Sequence, residues 1–280
     1  MRYFPLTSDL FSQTIGVRAL AADENLIEVT EHYHEEIKLK RQLLDSRRQE
    51  YASLPADTLD AQFEAVAFLI EHCDHLCNGH NQLLAEPIDL SSDPMLTLAT
   101  HLQEDLVILA NDPQANYPVI GGVVCFPSGW SLPEKMGRGI VQVHQPVPSF
   151  KPLLASPTEQ LLDRLKVGRS VWRMNWGIRP TKQLDQSPRH SGFLAQQSAL
   201  VNDEYAGARC FLRVERQTLT RLPKTGNILF TIHTHQSPLN SLSADQKQKL
   251  TGTLQSCPAE TLAYKGLDMI LAVVLRYLQK

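Results

Sequence analysis

The order of apolar and polar residues divides the chain into a helical first part and a strand-rich second part. Between residues 25 and 51, apolar residues recur every three or four positions among Glu, Lys, Arg and Gln, which predicts an amphipathic helix. A second helix is predicted from Asp57, a good N-terminal cap, to about Cys77, where Asn78 and Gly79 end the pattern. Residues 1–100 are therefore expected to form a helical N-terminal region.

Short strands are predicted after residue 100. The apolar runs 106–110 and 119–126 are bounded by Asn, Asp, Pro and Gly, as buried strands commonly are. Residues 171–178 predict a further strand, in which Trp172 and Trp176 lie on the same face. Strands thus dominate the middle of the chain.

Three later segments have helical periodicity. Residues 158–166 predict a short helix, and residues 243–253 predict a longer one. A last helix is expected over residues 260–278, where it closes the chain against the core. The whole pattern predicts helices at both ends of the chain and strands between them.

Two long strands joined by the turn RLPKTGN form a predicted β-hairpin within residues 209–235. A period of two places Arg213, Glu215 and Gln217 on one face of the first strand. In the second strand, His233 and His235 share a face. Whether the two polar faces lie on the same side of the sheet depends on the register, which the sequence does not give.

The composition favours a globular protein with a small-molecule partner. The chain has 280 residues, with 27 basic and 30 acidic residues and no dense basic tract, so the features of a nucleic-acid binder are missing. Five cysteines are an odd number and predict reduced thiols. Since no segment approaches the roughly 18 apolar residues of a membrane helix, we expect a soluble, cytoplasmic protein.

The segment EHCDHLCNGH, residues 71–80, is the densest group of metal-ligand residue types. A structural zinc site usually brings together ligand pairs from separate segments, whereas these residues surround a single helix end. We therefore interpret Cys73 and Cys77 as small core residues of that helix rather than as zinc ligands.

Two other groups allow both a structural and a functional interpretation. His144 in IVQVHQPVP is compatible with a structural histidine, but imidazole is also the usual protein ligand of haem iron. Arg213, Glu215 and Arg216 are compatible with a solvated charged face. The alternative is that the arginines hold an anionic group, such as a carboxylate or a haem propionate, while Glu215 favours a cationic ligand.

Six sequence blocks resemble a known family. They are LQEDLVIL (102–109), GGVVCFPSGWSLPEKMG (121–137), VHQPVP (143–148), WRMNWGI (172–178), LRVERQTLTRLPKTG (212–226) and FTIHTH (230–235). Together they resemble the α subunit of haem-dependent oxidative N-demethylase, in the order that the family has. The resemblance covers roughly residues 102–239.

The resemblance implies an α+β fold, a PAS-like domain with an antiparallel sheet flanked by helices, which binds haem b and here comprises residues 101–280 with the C-terminal helices. The implied reaction is oxidation of a small secondary amine such as dimethylamine by dioxygen, with release of formaldehyde. Electrons are then expected from NADPH through partner subunits that carry FMN and an iron–sulfur cluster. This sequence has neither a cluster-type cysteine spacing nor a dinucleotide fingerprint, so it would supply only the haem-bearing part.

Carried onto this sequence, the resemblance gives each candidate residue a role. His144 is the candidate proximal ligand of the iron, and Glu215 is the candidate catalytic residue that orients the amine. The remaining candidate haem contacts are Arg213, Arg216, Trp176 and His233. FTIHTH stands where the family pattern is expected to read FTIRTY, which leaves the substrate open. Two alternatives also stay open, a haem-binding sensor without turnover and a family member that has lost haem.

Overall fold

An antiparallel sheet of seven strands runs through the part of the chain that the computed structural model describes, residues 2–72 and 93–280. The strands are β1 (Arg18–Ala19), β2 (Ala52–Ser53), β3 (Asp105–Leu109), β4 (Val119–Val123), β5 (Val171–Arg179), β6 (Phe211–Arg221) and β7 (Ile228–Pro238). Their order across the sheet is β1-β5-β6-β7-β3-β4-β2, and every neighbouring pair is antiparallel.

Ten α-helices flank the sheet within the same ranges. They are α1 (Tyr33–Tyr51), α2 (Leu59–Glu71), α3 (Pro94–Ala99), α4 (Ile140–Val143), α5 (Ala155–Arg164), α6 (Ser191–Ala199), α7 (Ala206–Arg209), α8 (Ala244–Ser256), α9 (Ala259–Tyr264) and α10 (Leu271–Leu278). The predicted α+β class is therefore confirmed. No helix in these two ranges is both long enough and apolar enough to cross a membrane.

The β6–β7 hairpin has a single register along its whole length. Arg216 pairs with His233, and its neighbour Glu215 pairs with Thr234. Since paired residues in an antiparallel sheet lie on the same face, the two polar groups of the hairpin lie on opposite sides. We call the side of Arg213, Glu215 and Gln217 the Glu215 face, and the side of Arg216, His233 and His235 the histidine face.

Apolar clusters cover both faces but leave the centre of each one polar. On the histidine face, α1, α2 and α3 pack over Leu106, Ile108 and Leu229 at one end of the sheet. The C-terminal helices pack over Leu212 and Val214 at the other end. A third cluster on the Glu215 face includes these residues from the strands, α4 and α5: Val107, Leu219, Ile228, Ile140 and Leu162.

The first helix begins eight residues later than the sequence pattern predicts. Residues 25–32 are not helical, although Leu26, Ile27 and Glu28 are buried. The amide of Glu28 donates to Glu104 Oε1 at 2.8 Å, and the amide of Thr30 donates to a side-chain oxygen at the same distance. These tertiary hydrogen bonds satisfy backbone donors that a helix would otherwise use.

The last predicted helix is two helices, because a glycine ends the first. Gly266 has a φ of 66°, and its amide donates to Ala263 O at 2.8 Å. The amide of Leu267 donates to Leu262 O at 3.0 Å, which completes a Schellman motif with the two leucines in one apolar cluster. At the other end of the chain, α2 ends at Glu71, and residues 73–80 of the EHCDHLCNGH segment lie outside the described residues.

A buried ion pair ties α1 to the centre of the sheet. Lys40 Nζ lies 3.2 Å from Asp105 Oδ1, and the two side chains are 0% and 1% exposed. The ammonium also donates to the carbonyls of residues 102, 103 and 104, while the carboxylate accepts the amides of Cys125 and Phe126. Burial raises the pKa of Asp105 despite the adjacent lysine. Each charge therefore has several buried partners. Removal of either residue would leave the charge of the other in the dry interior without its counterion.

Replacement of Lys40 is expected to test this ion pair. Lys40→Met should lower the free energy of unfolding by about 3–5 kcal/mol, because it leaves Asp105 buried without its counterion. Lys249→Met is the matched control, since Lys249 Nζ lies 2.8 Å from Asp245 in an exposed pair on α8, and its loss should cost less than about 1 kcal/mol. Urea denaturation measures both, and equal effects would contradict a structural role for Lys40.

Candidate functional site

The Glu215 face carries a row of polar side chains on β5 and β6. Register places Arg173 beside Gln217, and Asn175 beside Glu215. Gln217 Nε2 and Asn175 Nδ2 both donate to Glu215 Oε2, at 2.9 and 3.2 Å. Arg173 donates to Gln217 Oε1 at 2.7 Å, so the amide of Gln217 links the arginine to the carboxylate. This chain of hydrogen bonds fixes Glu215 within the sheet.

Four cations surround this single carboxylate: Arg173, Arg179, Arg213 and Lys265. Within the described residues, none of them lies within ion-pair distance of a carboxylate. Arg213 instead donates to the carbonyls of Phe126 and Leu184, at 2.6 and 3.0 Å, and its Nε has no partner in residues 2–72 and 93–280. The site is thus rich in positive charge that its protein partners do not neutralise.

Burial changes the acid–base properties of these cations. It lowers the pKa of Arg213 to about 10, and it lowers the pKa of Lys265 to about 8 with help from the charge of Arg179. The Nζ of Lys265 donates to Trp176 O at 2.6 Å and lies 4.7 Å from the centroid of the Trp176 ring. A bound anion would stabilise the charged forms of both groups.

A small cavity opens beside Glu215. Its volume is about 20 Å³, and its walls are formed by Ser128, Asn175, Trp176, Gly177, Arg179, Arg213 and Glu215. A cavity needs about 10–15 Å³ to hold one water molecule. The cavity therefore holds about one water-sized molecule, and any larger group has to lie mostly outside it.

His144 lies on the same side of the sheet, at the C-terminal end of α4. Ile140 and Val143 of α4 pack into the apolar cluster of the Glu215 face. The His144 ring stacks on Phe150 with centroids 4.6 Å apart, and Nδ1 lies 2.8 Å from Ile140 O. Burial lowers the pKa of His144, and Arg173 and Lys135 lower it further.

The hydrogen bond to Ile140 determines what His144 can do. A neutral imidazole whose Nδ1–H donates to a carbonyl carries its lone pair on Nε2. Nε2 has no hydrogen-bond partner among the described residues. A ring fixed through one nitrogen, with the other nitrogen available, is the usual arrangement of a metal-binding histidine.

The histidine face has its own buried polar cluster. His233 Nδ1 lies 3.0 Å from Glu104 Oε1 and 3.8 Å from Glu28 Oε2. His235 Nε2 lies 3.4 Å from the same Glu28 oxygen. The guanidinium of Arg216 donates to the carbonyls of residues 25 and 26 and packs over Trp172, at 5.2 Å from the ring centroid. All of these groups lie across the sheet from Glu215.

The sheet separates the six candidate residues that the sequence suggested. His144, Arg213 and Glu215 lie on the Glu215 face, whereas Arg216 and His233 lie on the histidine face. A single haem on one side of the sheet cannot contact both groups. Trp176 borders the cavity, but its ring packs against the C-terminal helices.

Several site residues were missed by the sequence reasoning, for different reasons. Arg173 and Asn175 alternate within the predicted strand 171–178, so their common face was visible in the sequence. Glu28 and Glu104 had no comparable signal, since they come from separate segments and approach the histidines only in the folded chain.

The carboxylate of Glu28 is expected to make stability depend on acid pH. Burial alone would raise the pKa of Glu28, but the contacts with His235 and Tyr3 and the charge of Arg216 lower it to about 2, from an ordinary 4.5. Glu28 should thus contribute about 3 kcal/mol of stability above pH 4.5, lost as pH falls toward 2. Chemical denaturation should show Glu28→Gln less stable than wild type at pH 7, with the difference shrinking below pH 4.

Glu35→Gln provides the control for this measurement. Glu35 is an exposed residue in the first turn of α1, so its replacement should change stability little at any pH. A difference between Glu28→Gln and wild type that stayed constant from pH 7 to pH 3 would show that hydrogen bonding, not charge, explains the role of Glu28.

The sequence also matches a known protein family. The family model described as haem-dependent oxidative N-demethylase, alpha subunit-like, matches residues 16–275, which is nearly the whole chain. The match extends beyond the six blocks that carry the resemblance, and it includes α1, the sheet and most of the C-terminal helices. The chain belongs to the haem-dependent oxidative N-demethylase, alpha subunit-like family.

Proposed function

We propose that the chain is the haem-bearing subunit of an oxidative N-demethylase and that His144 is its iron ligand. The observation that carries this proposal is the neutral His144 imidazole, held through Nδ1 by Ile140 O and located on the cation-rich face of the sheet. Family membership supports it, because the family description names both haem and N-demethylation.

The residues of the Glu215 face fit the chemistry of haem b. His144 Nε2 offers a nitrogen ligand to iron. Arg173, Arg179 and Arg213 offer guanidinium groups to the two propionates, which would offset the unpaired positive charge of this face. Partly exposed apolar side chains of Trp130, Val143 and Phe230 on the same face would pack against a porphyrin. When bound, the haem supplies the chemistry by which dioxygen oxidises the amine.

Glu215 is the residue that we assign to the substrate. It borders the small cavity, whose volume of about 20 Å³ holds about one water molecule, so only the charged nitrogen of an amine would enter it. In the part of the chain that the structure describes, its two hydrogen bonds to side chains of the sheet both use Oε2, which leaves Oε1 for the cationic nitrogen of a secondary amine such as dimethylamine. In this role Glu215 binds and orients the amine, and the surrounding sheet limits access of water.

The reaction requires other subunits. A monooxygenase-type reaction reduces one oxygen atom to water, so it consumes electrons that the groups of this site do not provide. The description of the family as alpha subunit-like implies an assembly with further subunits. We propose a cytoplasmic reductase that carries FMN and an iron–sulfur cluster and takes its electrons from NADPH.

We also propose that the sheet is PAS-like. The five central strands lie in the order β4-β3-β7-β6-β5. The first of these strands in the chain, β3, therefore pairs with the last, β7, at the centre of the five. Helices α4 and α5 lie between β4 and β5 in the chain, and helices α6 and α7 lie between β5 and β6. On this view residues 101–280 form the haem-binding domain, and the helical residues 1–100 cover the far side of the sheet through α1 and α2.

The small cavity also supports a second candidate function. A cavity of about 20 Å³ holds a molecule of about the size of water, and a diatomic gas is closer to that size than an amine is. A haem protein with this cavity and no catalytic turnover would serve as a gas sensor. The two functions differ in whether the amine is consumed.

The ligand assignment is expected to be visible in the absorption spectrum. Wild-type protein expressed with added haem should show a Soret band, and His144→Ala should lose it or shift it, because the iron loses its nitrogen ligand. His101→Ala is the matched control: His101 is also half-buried, with Nδ1 2.9 Å from the carbonyl four residues before it. An unchanged Soret band in His144→Ala would reject the assignment.

Turnover is expected to depend on Glu215. With dioxygen and a chemical or enzymatic electron donor, the haem-loaded chain should release formaldehyde from dimethylamine. Glu215→Gln should raise KM for the amine by about 10- to 100-fold, since a hydrogen bond to a charged group contributes about 1.5–3 kcal/mol. The exposed Glu204→Gln serves as control. Absence of formaldehyde from a haem-loaded wild type whose spectrum responds to carbon monoxide would favour the sensor.

A further inference from the structure

The buried cluster on the histidine face contains the atoms of a metal site. Glu28 Oε2, a ring nitrogen of His233 and a ring nitrogen of His235 all lie within 4.8 Å of one another. Glu28 Oε2 is 3.4 Å from His235 Nε2 and 3.8 Å from His233 Nδ1. Ligands about 2.0–2.2 Å from a tetrahedral ion are separated by about 3.4 Å, so only small shifts are needed to bind one.

Unpaired polar atoms mark the same place. Among the described residues, Glu28 Oε2 and His235 Nε2 are buried and have no hydrogen-bond partner, although they lie 3.4 Å apart. Glu104 Oε2 also lacks a partner in this part of the chain, and the side chains of Glu28 and Glu104 are only 3% and 0% exposed. Buried polar atoms without partners are costly, so natural proteins rarely retain them without a function. A cation bound by Glu28 Oε2 and His235 Nε2 would satisfy both atoms.

The buried charges of the cluster favour a cation. Two buried carboxylates, Glu28 and Glu104, face one buried arginine, Arg216, whose terminal nitrogens donate to the carbonyls of residues 25 and 26 and whose Nε lies 3.7 Å from Glu28 Oε2. Arg2 approaches Glu28 Oε1 at 2.7 Å with a side chain that is 56% exposed to solvent. Among the buried groups, the two carboxylates therefore exceed the arginine by one negative charge.

We propose that His233 Nδ1, His235 Nε2 and Glu28 Oε2 bind a divalent transition-metal ion. Two imidazoles and one carboxylate suit zinc or ferrous iron rather than calcium or magnesium. These three protein ligands leave one position of a tetrahedral ion for a water molecule, and Glu104 beside His233 adds a second buried carboxylate. The site is distinct from the proposed haem site, since β6 and β7 place it on the other side of the sheet.

The location of the site indicates what the ion does. Glu28 belongs to the non-helical segment before α1, while both histidines belong to β7. Tyr3 closes the cluster from outside: its hydroxyl donates to Glu28 Oε1 at 2.5 Å, and its ring centroid lies 4.9 Å from that of His235. The ion thus fastens the N-terminal segment, which has little regular structure of its own, to the centre of the sheet.

Metal analysis of the full-length chain tests this site. After dialysis against micromolar zinc at pH 7.5, wild type should retain one zinc ion per chain, and cobalt should give visible d–d bands. His235→Phe should weaken zinc binding by at least about 100-fold, beyond the 10- to 100-fold loss typical for an outer hydrogen-bonding partner. His190→Phe is the matched control, because His190 Nε2 also lies 2.9 Å from a buried carboxylate, Asp185, but has no second histidine beside it.

A second variant addresses zinc binding elsewhere in the chain. The segment EHCDHLCNGH contains two cysteines and three histidines, so the same measurements are made with Cys73→Ser/Cys77→Ser. This variant should keep its zinc, and its cobalt spectrum should lack thiolate charge-transfer bands. Loss of zinc in this variant, or thiolate bands in wild type, would assign the ion to the cysteines and overturn the proposal.

The haem spectrum separates this result from the proposed function. His235→Phe should lose zinc and keep its Soret band, while His144→Ala should lose or shift the Soret band and keep zinc. Equal zinc affinity in wild type and His235→Phe, or no retained metal in wild type, would overturn the metal site and leave the haem proposal unaffected.

Discussion

The register of the β6–β7 hairpin determines the chemistry of both sides of the sheet. Neighbouring residues in a strand point to opposite faces, so a slip of one residue would bring His233 beside Glu215 and mix the two polar clusters. The register is held at the turn, where Gly226 has a φ of 72° and Leu222 N donates to Asn227 O at 2.8 Å. Inside the hairpin, the hydroxyls of Thr218 and Thr231 hydrogen-bond across the strands at 2.7 Å.

Both faces of the sheet carry buried charges at positions where apolar residues would stabilise the fold more. Arg213 and Arg216 are each 2% exposed. In the described part of the chain Arg213 forms no ion pair, and Arg216 forms one, with its Nε 3.7 Å from Glu28 Oε2. Replacement of buried charges by apolar residues commonly stabilises a protein. The apolar clusters at both ends of the sheet offset the cost of burying these charges. Buried charges of this kind indicate bound ligands.

Local patterns in the sequence predicted the strands well and the helix ends less well. Alternation within 171–178 and 209–235 is a property of adjacent residues, so it identified β5, β6 and β7 and the face of each side chain. The register was not predictable, because it depends on the geometry of the turn. The predicted helix start at residue 25 was wrong, since the side chain of Glu104 captures the Glu28 amide. Residues 28 and 104 are far apart in the chain, so their contact leaves no pattern in the sequence around either of them.

The two proposed sites are chemically separate but mechanically joined. Glu215 and Arg216 are consecutive, and they pair with the consecutive residues Thr234 and His233. On each of these two strands, one of the neighbouring residues therefore lies on the Glu215 face and the other on the histidine face. The sheet backbone between the two sites prevents direct contact. An ion at His233 would hold β7 in position and thereby hold the strand that presents Glu215. The metal would then act on amine binding only through the position of the backbone, since Glu215 has its own partners in Asn175 and Gln217.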